Sequence, residues 1–79
     1  MNMEIRSARL KGRAVSVTLR DDQQENLQKL YAKAKALSDD SYKAEIVQKE
    51  PFMRVMITFT EPSVAKNLFT YLSNIMMPV

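Results

Sequence analysis

Hydrophobic and polar residues alternate at the end of the chain and then change to helical spacing. Val55, Ile57 and Phe59 alternate with Arg54, Met56 and Thr58, a period of two that is typical of a strand with one buried face. After Glu61-Pro62, apolar residues recur every three or four positions, as on one side of a helix: Val64, Ala65, Leu68, Phe69, Leu72, Ile75 and Met76. The pattern predicts a strand followed at once by a helix between Arg54 and Met76.

An earlier stretch repeats this plan. Val15, Val17 and Leu19 alternate in the same way and predict a strand over 14–20. The next apolar residues have helical spacing and predict a helix to about residue 37: Leu27, Leu30, Tyr31, Ala34 and Leu37. Either Asp21 or Asp22 is expected to cap this helix, with Gln24 or Glu25 as the capping-box partner.

A further strand is predicted before each of these units. Met3 to Leu10 forms the first, and its apolar positions change phase after Ile5, so we expect a β-bulge near Ser7. The single glycine, Gly12, predicts a tight turn, since glycine accepts a positive φ. The resulting hairpin continues at Ala14.

The third strand is predicted over 42–48. Its alternation places Ala44 and Ile46 toward the core. The polar stretch 38–41 precedes it as a turn, and Pro51 marks the turn that follows. The order of elements is therefore ββαββα.

The two halves, about 3–37 and 42–77, predict a single α+β domain over 1–79. Because both helices follow hairpins, their apolar sides must cover the same face of the sheet. We expect a four-stranded, mainly antiparallel sheet with two helices packed on one face. The halves superpose with shifts of about 40 residues, which fits a duplication, although two amphipathic units also look alike when aligned by pattern.

Chain length and composition indicate the oligomeric state and the cellular compartment that we expect. The chain has 79 residues and is 46% hydrophobic, which gives a core so small that a second copy often completes it, and we expect a homodimer. Glu4, Arg6 and Arg9 interrupt the apolar run that a signal peptide needs. No segment approaches the roughly 20 apolar residues of a membrane span. These features, and the absence of cysteine, lead us to expect a soluble cytoplasmic protein without a membrane partner.

The residue types argue against catalysis. Histidine and cysteine are both absent, which removes the usual general base at neutral pH and the thiolate nucleophiles. Two acidic pairs, Asp21-Asp22 and Asp39-Asp40, are of a kind that can bind a hard cation, but aspartate is also favoured at helix caps and turns. We expect no enzyme, no metal site and no cofactor.

Positive charge gathers on the predicted outer face of the sheet. The net charge is +3, and the candidate nucleic-acid-binding residues are Arg6, Arg9, Arg20, Lys43, Lys49 and Arg54. Hydroxyl side chains lie between them, and cations with hydroxyls suit phosphate contacts. Phe52 is the one candidate for base stacking. The alternative interpretation is a solvated face whose charges discourage edge pairing.

A second surface is apolar. Val47 and Met56 are expected to point outward, and Tyr71 on the polar side of the second helix can add to a protein contact. The leading hypothesis is a small, non-catalytic, dimeric binding module that engages nucleic acid or another acidic surface. The alternative is a protein-interaction or inhibitor module that uses the Val47 and Met56 surface or a sheet edge.

Overall fold

The computed structural model describes residues 5–20 and 24–76, which form four strands and two helices in the order ββαββα. The elements are β1 (Ile5–Lys11), β2 (Ala14–Leu19), α1 (Gln24–Ser38), β3 (Tyr42–Gln48), β4 (Arg54–Phe59) and α2 (Pro62–Met76). The strands form one open antiparallel sheet of order β1-β2-β4-β3. The predicted α+β fold is confirmed. Met3 and the expected Asp21-Asp22 cap lie outside the described residues.

One core joins the two central strands to both helices. The fully or almost fully buried apolar side chains are Val15, Val17, Leu19, Leu30, Ala34, Val55, Ile57, Phe59, Ala65, Leu68 and Leu72. They include alternate residues of β2 and β4 and the apolar sides of α1 and α2. The helices therefore cover one face of the sheet, as the sequence predicts, and the other face is free of them.

The two central strands pair symmetrically. Val15 lies opposite Ile57, and Val17 lies opposite Val55. Val15 and Val55 are forty positions apart in the sequence, and so are Val17 and Ile57. Exchanging β2 with β4 therefore exchanges the two pairs, which places a pseudo-twofold axis at the pair Ser16–Met56. The two half-units thus occupy equivalent places in the sheet.

The bulge in β1 decides which of its residues face away from the helices. The register shifts between Ile5 and Ser7, as expected, so Ala8 lies on the helix side, where it pairs with the buried Val17. Arg9 consequently projects from the opposite face of the sheet, because successive side chains alternate.

The expectation for β3 is only half right. Ala44 and Ile46 pair with residues of β4 that face the helices, but both are exposed, Ile46 by 39%. The reason is the position of the helix layer, since α2 packs mainly against β1 and β2. The helix side of β3 is therefore left largely uncovered.

Aromatic side chains connect α1 to the end of β3. The ring centroids of Tyr31 and Tyr42 are 6.4 Å apart, and those of Tyr42 and Phe59 are 6.5 Å apart. Burial raises the pKa of Tyr31, and the neighbouring Tyr42 raises it further. The three rings hold the Tyr42 end of β3 against α1 and β4, whereas the middle of β3 is exposed.

The tight turn at Gly12 yields a first prediction. Its φ is +59°, and an added Cβ would meet no atom within 4 Å, so Gly12→Ala should cost only the backbone strain, about 1 kcal/mol. Gly12→Asn should cost less, because asparagine tolerates a positive φ. Urea denaturation would measure both. Equal stability of the alanine variant and the parent chain would contradict this account of the turn.

Candidate nucleic-acid interface

The face of the sheet away from the helices presents side chains in cross-strand rows. One row places Arg9 of β1 beside Ser16 of β2, with Met56 of β4 beyond them. The adjacent row places Thr18 of β2 beside Arg54 of β4. Same-face neighbours on paired strands lie about 4.5–5.5 Å apart at Cβ, so these residues form one continuous surface, which we call the outer face.

Two arginines and two hydroxyls converge on a depression in this face. Arg9, Ser16, Thr18 and Arg54 line a cavity of about 300 Å³. The Nε of Arg54 donates to the Oγ1 of Thr18 at 3.4 Å, and Thr18 is buried although it lies on the outer face. Because a hydroxyl can accept one bond and donate another, Thr18 can hold the guanidinium and still donate to an anion.

The depression is positively charged. Within residues 5–20 and 24–76, neither Arg9 nor Arg54 forms an ion pair, whereas Lys29 on α1 lies 3.4 Å from Glu25. The acid that the described strands place on the outer face, Glu45, pairs with Met56 on the side toward β3. The charge of the two guanidinium groups is therefore not neutralised within the described protein, which suits an incoming anion.

The remaining predicted cations surround this depression or lie at strand ends. Lys43 lies on the outer face opposite Thr58. Arg20 and Lys49 directly follow β2 and β3, and both are exposed. The structure therefore brings together Arg9 and Arg54 and places Lys43 on the same face, whereas Arg20 and Lys49 lie beyond the ends of their strands.

Arg6 has a different environment. Its guanidinium carbon lies 4.1 Å from the ring centroid of Phe52, a cation–π contact. The carbonyl of Phe52 also accepts a hydrogen bond from the side chain of Gln48 at 3.1 Å. A face of the one ring considered for base stacking is therefore occupied by Arg6.

Lys11 is a cation of the outer face that the candidate set omits. It pairs with Ala14, and it is exposed. The bulge between Ile5 and Ser7 gives Lys11 the same orientation as Arg9. The phase change in the β1 sequence was the signal that could have found it.

The apolar candidates do not form one surface. Val47, at the register shift in β3, is 47% exposed, and Met56 on the outer face is 37% exposed. Tyr71 is half-buried against the core on the helix side, with the Nζ of Lys33 lying 4.3 Å from its ring centroid. The contact of Tyr71 joins α2 to α1, on the side of the sheet opposite Met56.

A larger depression, about 460 Å³, lies where β4 ends beside the α1–β3 turn. Its lining combines Arg13, Lys43 and Asp40, so its charge is mixed. Asp39 and Asp40 have φ values of +53° and +70°, and the N–H of Asp40 donates to the carbonyl of Lys35 at 3.2 Å. This geometry gives the acidic pair a role in ending the helix, and no group of three or more potential metal ligands occurs in the described chain.

Neither helix of the described residues is long and apolar enough to cross a membrane. No family model, curated protein or solved structure matches this chain.

Proposed function

We propose that this protein is a small, non-catalytic, dimeric module whose outer face binds the phosphate backbone of nucleic acids. The observation that carries the proposal is the depression in which Arg9 and Arg54 meet Ser16 and Thr18. Guanidinium groups bind phosphate oxygens with charge-assisted, often bidentate hydrogen bonds. Hydroxyl groups from the central strand add neutral donors to the same phosphate.

Backbone contact, rather than base recognition, fits the side chains of this face. The described strands present no aromatic ring on it, and Phe52 at its margin already stacks with Arg6. Single-stranded nucleic acids are usually held by stacking as well as by charge. We therefore propose binding that depends strongly on salt and little on sequence, at the phosphates of either single strands or duplexes.

A non-catalytic role is part of the proposal. The chain lacks histidine and cysteine, and the acidic pair Asp39-Asp40 is used in the turn after α1. The positive depression is suited to holding an anion and lacks a general base. We place the module in the cytoplasm, where a cysteine-free chain and a nucleic-acid partner are both ordinary, and we assign it no cofactor.

An alternative function is protein interaction through apolar surface. The exposure of Met56 and Val47 favours it, because an exposed, flexible methionine side chain adapts to a partner. Salt separates the two functions: an apolar contact should persist at high salt, and a phosphate contact should not. Purification of partners from the native cell with and without nuclease would show which kind of partner is held.

The test of the proposed function is the salt dependence of binding. Six cations on phosphates of a single strand predict a slope of about −4 for log K against log salt concentration, at about −0.7 per contact. Affinity for a labelled mixed-sequence oligonucleotide should therefore fall roughly 300-fold between 50 and 200 mM salt. Fluorescence anisotropy measures this directly. A slope near zero, or no binding at 50 mM salt, would refute the proposal.

A further inference from the structure

β3 is an open sheet edge with an unusual degree of exposure. Every residue from Lys43 to Val47 is exposed, and β3 pairs with β4 on one side only. Ala44 and Ile46 expose apolar surface on the helix side, where the two central strands are buried. Long unprotected edges present unpaired backbone groups that readily accept another strand. The sequence of β3 indicates which strand can be added to this edge.

The strand is complementary to itself in one antiparallel register. When two copies are centred on Ala44, Lys43 of each copy lies opposite Glu45 of the other, on the outer face. On the helix side, Tyr42 then lies opposite Ile46, an aromatic residue against a β-branched one. Opposite charges and such apolar pairs each stabilise a sheet by roughly 0.2–1 kcal/mol.

Neighbouring registers lose this match. Centring on Glu45 places two carboxylates opposite each other, and centring on Ile46 places Glu45 opposite Val47. Like charges directly across a ladder are destabilising. A shift by one residue would put the helices of the two copies on opposite faces, because side chains alternate along a strand. Of these registers, the one centred on Ala44 is the one that satisfies both faces of β3.

The other edge of the sheet lacks these properties. The outward residues of β1 after its bulge are Ser7, Arg9 and Lys11, which provide cations and no acid, so self-pairing would oppose like charges or leave them unpaired. Both edges carry a register shift: that of β1 lies between Ile5 and Ser7, and that of β3 lies between Ile46 and Gln48, beyond the residues 42–46 that this register pairs. On the helix side, α2 packs against β1. The two edges therefore differ in charge and in how far the helices cover them.

We infer that β3 is the dimer interface of this protein, with a second copy of the chain added antiparallel around Ala44. The product is an eight-stranded sheet with four helices on one face and the two outer faces joined on the other. That the joined outer faces bind phosphates rests on the proposed function. Five strand spacings of about 4.8 Å separate the two copies of β2, so the two phosphate sites lie roughly 24 Å apart.

Charge reversal tests the register. Lys43→Glu makes each β3 carry two acids, and Glu45→Lys makes each carry two cations, so each variant alone should be monomeric by light scattering. Mixed in equal amounts, they should form a heterodimer, because every opposed pair is then acid against base. The double variant Lys43→Glu/Glu45→Lys should be dimeric like the parent chain.

A cysteine variant tests the position of the twofold axis. The chain has no cysteine, and Ala44 is the residue that faces its own copy. Directly opposed residues have Cα atoms about 4.5–5.5 Å apart, which is within the range of a disulfide. Ala44→Cys should cross-link rapidly under mild oxidation. Val47→Cys, exposed in the same strand, should cross-link slowly, because the two copies of residue 47 lie far apart along the antiparallel pair.

The failures of the two proposals are distinguishable, since mass and cross-linking are measured without nucleic acid. A monomeric parent chain at sub-millimolar concentration would overturn both the β3 interface and the dimeric state in the proposed function. Salt-dependent binding by that monomer would leave the proposed phosphate binding standing. A dimer that persists in both single variants, or equal cross-linking at positions 44 and 47, would also overturn the interface. A β3 dimer with no affinity for nucleic acid would refute the proposed function alone.

Discussion

Replacing Arg9 and Arg54 together by glutamate is expected to weaken nucleic-acid binding by roughly 100-fold or more. Both guanidinium groups line the same depression, and a hydrogen bond to a charged group contributes about 1.5–3 kcal/mol. Two such contacts correspond to at least about two orders of magnitude in affinity. The new carboxylates add repulsion from phosphate. The measurement is a binding titration at fixed low salt, repeated at several salt concentrations. The slope of log K against log salt concentration should decrease in magnitude by about 1.4, because two phosphate contacts are lost.

The matched control changes the same net charge on the other side of the molecule. Lys35 and Lys66 are exposed and lie on α1 and α2, so Lys35→Glu/Lys66→Glu removes as much positive charge from the helix side. This variant should lose far less affinity, because the outer face is unchanged. Circular dichroism checks that both variants are folded. Equal losses in the two variants would mean that total charge, and not the outer face, governs binding.

Truncating Leu68 to alanine is expected to cost about 3–5 kcal/mol of stability. Leu68 of α2 is completely buried in the core shared with β2 and β4. Leucine-to-alanine changes at such sites lose the transfer free energy and also leave a cavity. Domains are stable by only about 5–15 kcal/mol, and small ones lie at the low end. Chemical denaturation should therefore show a chain that is close to unfolding.

The control makes the same chemical change where the helix layer ends. Leu10 of β1 is on the helix side but is 37% exposed, so Leu10→Ala removes less buried surface and leaves no closed cavity. Its cost should be about 1–1.5 kcal/mol. If Leu10→Ala proved as costly as Leu68→Ala, the helices would not form the compact cover that the fold describes.

The elements of this fold could be predicted because each one carries its own period. β3 has the bounds that the alternation predicts, 42–48, and α2 begins at Pro62, where a missing N–H costs nothing. The exposure of Ile46 could not be predicted in the same way. Alternation identifies the face on which a residue lies, but the extent of burial depends on where the helices cross the sheet, which is a tertiary property.

The candidate interface could be predicted from the sequence as a set of cations, but the depression that two of them form could not. Arg9 and Arg54 are 45 positions apart in the sequence, and they meet only because β1 and β4 lie on either side of β2. Periodicity contains no information on strand order. The face on which Lys11 lies depends on where the bulge in β1 occurs. A change of phase in the sequence locates a bulge only to within one or two residues.

Amide chemical shifts recorded during an oligonucleotide titration locate the surface that holds the phosphates. If the outer face holds them, the largest changes at low salt occur at Arg9, Ser16, Thr18 and Arg54, and they reverse when salt is added. The exposed helix residues Lys66 and Asn67 should change little. Largest changes on α1 or α2, or no changes at saturating oligonucleotide, would show that the outer face does not bind nucleic acid.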